Sequence, residues 1–599
     1  MINDMKTYIN IGKMMKACSL CCGVATAIAL TSCTDFSDYN EAPAEQNVAA
    51  SRTLWENISQ NPQLSDFAAL VKQTGFEAEL NTPRSLTVWA PVNGSFALSD
   101  YQGLSSDDLL TQFVKTHIAE YSHAASGKVD ERVHMLNDKS FTFAGDGSYT
   151  FGGLTVKEAN VPSTNGLLHM VDGAAKFYPN LYEYIKSGDG IDLLREHFMR
   201  YELTELDADA SVKGPMVNGI QTYIDSVMVV SNSLVNQLNA RIANEDSSYT
   251  FLMPTDKAFT EMYNRVKPYY NFISATKMHD VENYESASST AIKTAPAIDA
   301  AYMTDSLVRR TIVRNLIFSN NDAYNKWLVD KGEYTDTLRS TTRNKFSNPR
   351  ELLAPTVGEP VEASNGYVRL MDSLAFYPWE TYCPELVFEP IRYMAKLFPD
   401  AAQMTVKTVV GANGSYLTGI FGPETTLTEY RYGWVSPGGD RTLPVMFIKL
   451  PNVMSTTYNF YVVYMPSARP SIAGDSRPNW LNYQLNYCDA KGNAQVYNFS
   501  KPYADALLSG DPLPKLATKV DATTAFTNDP EKTDTIFIGR FTFPVNYRGL
   551  GEDYYPSIRV STPINVFNKQ QLETYSRDLR IAAFLLRPVE LEEFEENNK

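Results

Sequence analysis

Two pairs of segments recur in the same order along this chain, and a repeat limits the architecture more than any single motif does. The first pair is Leu86-Thr87-Val88-Trp89-Ala90-Pro91-Val92-Asn93-Gly94-Ser95-Phe96 and Tyr249-Thr250-Phe251-Leu252-Met253-Pro254-Thr255-Asp256-Lys257-Ala258-Phe259. Each reads as a strand, a turn and a helix start. Thr, Val and aromatic residues suit the strand, Pro91 or Pro254 halts the ladder, and Asn93 or Asp256 caps a helix that carries Phe96 or Phe259 inward. The second pair is Asn165-Gly166-Leu167-Leu168-His169-Met170-Val171-Asp172 and Asn365-Gly366-Tyr367-Val368-Arg369-Leu370-Met371-Asp372. Here Asn-Gly supplies a turn and the alternating run after it a strand.

Spacing separates the two copies. Pro91 to Asn165 is 74 residues and Pro254 to Asn365 is 111, so the second copy carries 37 more. A middle landmark, Val114-Lys115-Thr116-His117-Ile118 against Val313-Arg314-Asn315-Leu316-Ile317, puts nearly all of them between the first motif and this point, at about residues 262–304. Tyr269, Tyr270, Ser286, Ser288 and Ser289 in that insertion read as a surface excursion able to serve as a contact loop.

In this order the two blocks resemble the signature motifs of the fasciclin (FAS1) family, with one copy over residues 52–182 and another over 183–387. An opening helix is also visible: Leu54, Ile58, Leu64, Phe67, Leu70 and Val71 follow a helical stripe around an Asn-Pro break. His117 and His169 of the first copy correspond to Leu316 and Arg369 of the second, so the family's histidine contact within the core is confined to the first copy. Both histidines read as satisfied structural groups. The integrin-contact tetrapeptides of animal fasciclin adhesion proteins do not occur.

Beyond Cys383-Pro384 the pattern changes to short strands with turn residues between them. Leu481, Tyr483, Leu485 and Tyr487 alternate with Asn482, Gln484 and Asn486, as in a half-buried strand. Pro444 to Leu450, Tyr458 to Tyr464, Ile536 to Ile538, Phe541 to Val545 and Leu579 to Leu586 read as further strands. The fold class expected is therefore α+β: two tandem fasciclin-like domains followed by an all-β sandwich or jelly roll over 388–590, with a solvated, disordered acidic tail at 591–599. Tyr432, Trp434 and Trp480 lie near turns in the third domain, where aromatics serve either as a ligand platform or as core.

The chain opens with a secretory leader. After Lys13 and Lys16, residues 17–30 carry no charge, a run too short for a bilayer of about 30 Å. Leu30-Thr31-Ser32-Cys33 resembles the bacterial lipobox, which would make Cys33 the lipidated first residue of the mature chain and residues 33–51 its tether. Asp35, Asp38 and Glu41 resemble the surface-export signal of Bacteroidetes lipoproteins, implying a lipid-anchored protein exposed on the outer membrane.

Charge and residue usage narrow the function. The net charge of −16 becomes −18 once residues 1–32, with three Lys and one Asp, are removed, and no basic run is present, which argues against nucleic acid. No Cys/His cluster suggests a metal, and no cofactor motif occurs in a convincing context. All six histidines precede residue 280, so residues 280–599 cannot supply His-based nucleophilic catalysis. Cys383 and Cys488 read as two separate thiols rather than a pair.

The leading expectation is a non-catalytic surface lipoprotein that binds a glycan or a partner protein. Resemblance to fasciclin-like lipoproteins implies an accessory part of an uptake complex with a SusC/SusD-like TonB-dependent transporter and a SusD-like lipoprotein. Adhesion through the fasciclin pair, or glycan hydrolysis by an acidic pair in the third domain, are the alternatives.

Overall fold

The apolar stripe that opens the first copy is sealed from solvent, because a break between two helical pieces keeps all six residues on one side. Thr53 caps α1 (Leu54–Ser59) in a reciprocal box with Glu56, Asn61 caps a single turn at Pro62–Leu64, and α2 (Ser65–Thr74) follows. In the computed structural model residues 48–286, 291–329, 335–410, 429–466 and 476–598 are described. Cys33 lies outside them, as do Ser288 and Ser289. The chain divides into two compact units, residues 1–178 and 179–599.

The first unit is built on one seven-stranded sheet, ordered β2-β1-β7-β6-β5-β4-β3. Its strands are β1 (Leu86–Pro91), β2 (Ile118–Glu120), β3 (Lys128–His134), β4 (Ser140–Asp146), β5 (Ser148–Phe151), β6 (Leu154–Ser163) and β7 (Gly166–Val171). β1 runs antiparallel to β2 and parallel to β7, with Leu86 opposite Gly166. Trp89 is fully buried and stacks on Phe151 at 4.5 Å and on His169 at 5.4 Å.

The second copy repeats this arrangement. Asn180 caps α3 (Leu181–Ser187) in the same reciprocal box, with Glu183, so this copy begins at Pro179 rather than at residue 183. Then come α4 (Asp192–Met199), β8 (Glu202–Val217) and β9 (Ile220–Asn232), which among the described residues pair only with each other, and β10 (Tyr249–Pro254). α5 (Asp256–Val266), β11 (Lys277–His279), β12 (Ile292–Thr294), α6 (Ala300–Val313) and β13 (Ile317–Ser319) follow. A short ladder, β14 (Leu338–Arg339) with β15 (Lys345–Phe346), precedes β16 (Val361–Ala363) and β17 (Gly366–Met371). The sheet order β13-β10-β17-β16 matches β2-β1-β7-β6, and Tyr249 stands opposite Gly366 as Leu86 stands opposite Gly166.

The Asn-Gly pair does the same work in both copies, and it does more than turn the chain. Asn165 accepts from the Leu54 N–H and donates to the carbonyls of Leu80 and Thr82, all at 2.8 Å. Asn365 accepts from the Leu181 N–H at 2.9 Å and donates to the carbonyls of Ile242 and Asn244 at 2.8 and 3.1 Å. Each buried amide thus ties the opening helix to the sheet. The glycine beside it is required by contact as well as by backbone: a Cβ on Gly166 would lie 1.8 Å from the Leu86 carbonyl oxygen, and one on Gly366 1.9 Å from that of Tyr249.

After β1 and β10 the copies diverge. In the second, Thr255 caps α5 directly and Phe259 enters the core with 1% of its surface exposed. In the first, Asn93 caps no helix following it; its side chain instead accepts from the Asp66 N–H and donates to Ser65 Oγ and the Pro62 carbonyl. The chain passes Phe96 outside any helix, and that ring is only partly buried against Tyr101 and Phe113. His117 donates from Nδ1 to the Phe113 carbonyl and accepts at Nε2 from the Ala175 N–H, while His169 donates to the His123 carbonyl and accepts from the Asn160 N–H. Burial lowers both imidazoles to about 4, so they are neutral, satisfied core groups at pH 7.

The β-rich part consists of two antiparallel sheets packed face to face. One is ordered β18-β29-β23-β27, from β18 (Leu386–Phe388), β23 (Thr457–Tyr464), β27 (Asp534–Thr542) and β29 (Ile581–Pro588). The other is ordered β19-β22-β28-β24-β25, from β19 (Met394–Phe398), β22 (Val445–Lys449), β24 (Trp480–Cys488), β25 (Ala494–Asn498) and β28 (Ser557–Ser561), with β26 (Phe526–Thr527) also on β24. β20 (Gln403–Val410) and β21 (Glu429–Ser436) form a separate hairpin. Tyr464 and Tyr483 bond hydroxyl to hydroxyl across the sandwich, and Tyr483 meets Phe584 at 5.8 Å.

Four expectations change here. The insertion is no surface excursion: Tyr269, Tyr270, Phe272, Met278, Val281 and Tyr284 are buried, because they pack into the β-rich part. The Asn271 N–H donates to Ser455 Oγ and its side chain to the Pro544 carbonyl, while Lys277 N–H reaches the Gly492 carbonyl. Residues 179–599 consequently share one core instead of dividing at 387. The segments Ile536–Ile538 and Phe541–Val545 are not two strands; β27 spans Asp534–Thr542, and a register shift opposite Phe460/Tyr461 absorbs the irregularity.

The tail is the fourth. It is not disordered but forms α7 (Val589–Asn597), since its acids find partners: Glu590 accepts from the Tyr269 hydroxyl at 2.6 Å, Glu592 from that of Tyr461 at 3.1 Å, and Arg587 holds Glu592 and Glu595. Phe594 packs on Tyr377 and Trp379. Cys383 and Cys488 are both free and buried.

Candidate functional site

The aromatic trio proposed as a ligand platform does not form one. Tyr432 and Trp434 lie on β21 with 0% and 5% of their surface exposed, packed with Val463, Met465, Ala582, Ala583 and Leu585. Trp434 donates to Asp578 at 3.1 Å, and the Arg580 guanidinium sits over its ring at 5.5 Å. Trp480, at the start of β24, stacks instead on Tyr575 at 4.7 Å. Neither ring of the β21 pair has a face open for stacking, because β21 closes over the outer side of β23 and β29 rather than bordering a cleft.

A polar cleft lies elsewhere, where the insertion crosses the outer face of the second sheet. It is about 180 Å³ in volume and lined by His279, Asp280, Val281, Tyr284 and Ala291 from the insertion and by Phe447, Gln484, Asn486, Val496 and Arg559 from the sheet. Gly492 lets the β24–β25 turn approach this closely: its φ is +86°, and a Cβ there would lie 2.4 Å from the Ala275 carbonyl oxygen. Tyr284 anchors one wall, its ring 4.8 Å from Phe447 and 5.3 Å from Phe398.

The polar wall is held by mutual hydrogen bonds. Arg559 donates to Gln484 Oε1, to Ser561 Oγ at 3.2 Å and to the Tyr284 hydroxyl at 3.4 Å. Gln484 in turn donates to Asn498 Oδ1 at 2.8 Å, and Asn486 to Ser557 Oγ at 3.0 Å. The alternating amides of β24 are therefore not a solvated face; Asn482 and Asn486 are 2% and 6% exposed. Beneath the hairpin, Lys293 and Lys449 hold Glu282 down at about 2. Burial pushes the carboxyl of Asp280 up, but bonds from Asn283 and Lys293 outweigh it and hold it below its usual range. Burial also lowers His279, so at pH 7 the only charged lining side chains are Asp280 and Arg559, one of each sign.

Such a site suits a neutral, hydroxyl-rich molecule. Side-chain amides both give and take hydrogen bonds, the Arg559 guanidinium gives them in a fixed plane, and Tyr284 and Phe447 supply apolar surface. The volume is below the roughly 300–1,000 Å³ of a pocket that encloses a drug-sized ligand. Tyr432, Trp434 and Trp480 take no part in the cleft.

With this geometry in place, residues 62–175 match the family model described as Fasciclin domain. The first copy is a fasciclin domain. Its motif residues, clamp asparagine and sheet order recur in residues 179–382, which makes that segment a second, diverged fasciclin domain ahead of the β-rich part. Where fasciclin domain one holds His117 and His169, domain two has a buried Leu316 and an Arg369 whose guanidinium burial pushes below its usual range.

Among solved structures, a FAS1 domain pair from the insect cell adhesion molecule Fasciclin I is similar at 13% identity, over 54% of this chain and 99% of that one, with a TM-score of 0.19. The catalytic domain of a GH87 alpha-1,3-glucanase in complex with tetrasaccharides is similar at 11% identity, over 34% of this chain and 28% of that one, with a TM-score of 0.14. At these scores neither likeness bears on the fold or the ligand. No curated protein matches the chain. Fasciclin domains serve adhesion and binding, and the chain takes a role of that general kind.

Proposed function

We propose that this protein is a non-catalytic binding protein of the cell surface, anchored in the outer membrane through lipid on Cys33, that holds a glycan in the cleft between the insertion of fasciclin domain two and the β-sandwich. The observation that carries the reading is the lining: two amides, one internally bonded guanidinium and a buried tyrosine around a space with balanced charge. An anionic ligand would call for surplus cations, and an apolar one would find most of the wall made of the polar groups of Gln484, Asn486, Asp280 and Arg559. A place beside a TonB-dependent transporter and a SusD-like lipoprotein accounts for a tethered binder that works as an accessory component of nutrient uptake. Adhesion is the second reading, favoured by the fasciclin domain itself.

Titration with a panel of neutral oligosaccharides tests the cleft. At least one is expected to bind, with affinity reduced tenfold or more in Asn486→Ala and in Arg559→Ala, about 1.4 kcal/mol or above. No new reducing ends should form. Binding that survives both substitutions, or glycan cleavage by the purified protein, would overturn the reading.

A further inference from the structure

The hairpin β8–β9 is an arm with no partner sheet among the described residues. Asn218 and Gly219 turn it with φ of +52° and +80°, the two positive values that a tight hairpin requires. Along it Met216, Ile220 and Ile224 are 67%, 70% and 76% exposed, and Val227, Met228, Val229 and Val230 are exposed as well. A lone two-stranded hairpin is marginal in water, and three or more strands with a shared apolar face make it stable.

Its two edges differ. β8 is guarded by Glu202, Glu205, Asp207, Asp209, Lys213 and Pro215 and is interrupted by register shifts between Asp207 and Met216, the usual devices against edge pairing. β9 carries one charge in thirteen residues, Asp225, and reads Ser-Val-Met-Val-Val-Ser from 226 to 231. We propose that β9 pairs antiparallel with β9 of a second copy, joining two arms into a four-stranded sheet.

Charge and the placing of apolar side chains favour a second copy as occupant. An antiparallel pair centred on Val229 sets Met228 and Val230 opposite each other across the new ladder and brings no like charges together. The alternative pairing, β8 on β8, would set acids against acids. The exposed apolar side chains of β9, from Ile220 to Val230, run along the edge that this pairing covers.

Sedimentation equilibrium of the full chain in density-matched detergent tests this. Wild type should sediment as two chains. The double variant Val227→Lys, Val229→Lys should sediment as one, with association at least tenfold weaker. In the hairpin register Val227 faces Asp207 and Val229 faces Glu205, so both new lysines gain an acid across the arm and the hairpin itself is kept. The companion variant Glu205→Lys, Asp207→Lys, on the guarded strand, should remain two chains. A single-chain mass for wild type throughout the micromolar range overturns the proposal, including the case where a different protein covers the edge; so does an unchanged two-chain mass in the β9 variant, or a single-chain mass in the β8 variant.

Discussion

Gly366→Ala is expected to destabilise the second unit by about 4 kcal/mol or more, at the upper end of what single substitutions do. The methyl group would meet the Tyr249 carbonyl oxygen at 1.9 Å and the Tyr249 backbone nitrogen and carbonyl carbon at 2.8 Å, and none of these atoms can move without separating β10 from β17. Gly358→Ala is the control. It also has a positive φ, +66°, but nothing lies within 4 Å of its Cβ, so its cost is the left-handed backbone alone, about 1–2 kcal/mol. Urea unfolding of the two variants measures the gap. Equal losses would mean that the close approach of the two strands is wrong.

The second large effect separates the two copies of the first motif. Phe259→Ala should cost about 3–5 kcal/mol, as for a phenylalanine deleted from a packed core. Phe96→Ala should cost about 1–2 kcal/mol, because its ring is only partly buried and contributes a fraction of the full transfer free energy. A sequence reading would assign both the same value, since both follow a strand and a proline at matching positions. The difference arises after the turn: Thr255 starts a helix at once, whereas Asn93 is drawn back to the α2 start and the chain runs on without one. Denaturant midpoints for the two variants report it, and similar losses in both would contradict the divergence.

Much of the fasciclin architecture was legible because its parts are local and repeated. The helical stripe from Leu54 to Val71, the strand before Pro91 and the Asn-Gly junctions each carry a short-range signal, and the second copy repeats them in order. What Asn165 and Asn365 do was not legible, since their partners lie 83 to 184 residues away in sequence. The insertion was located by counting, but its aromatic residues could not reveal that they pack into the following β-sandwich.

The acidic tail misleads for a related reason: composition argues for solvation, and the tyrosines and Arg587 that pair its glutamates come together only in the fold. The arm at residues 202–232 does carry a local mark, Asn218-Gly219 between apolar runs.

For the candidate site, aromatic residues beside turns drew attention to Tyr432, Trp434 and Trp480, and burial removed the first two. The better signal was the amide alternation of Asn482, Gln484 and Asn486 in an otherwise apolar strand. Amides so placed need partners or a ligand. Arg559, Tyr284 and His279 carry no sequence mark at all, because the cleft is assembled from an insertion and a sheet about 200 residues apart.

Hydroxyl-radical footprinting of the full chain with and without a bound neutral oligosaccharide tests the cleft most directly. The account predicts reduced labelling at His279 and Tyr284 on binding, with Trp480 unchanged. Protection of Trp480 with His279 and Tyr284 unaffected would contradict it.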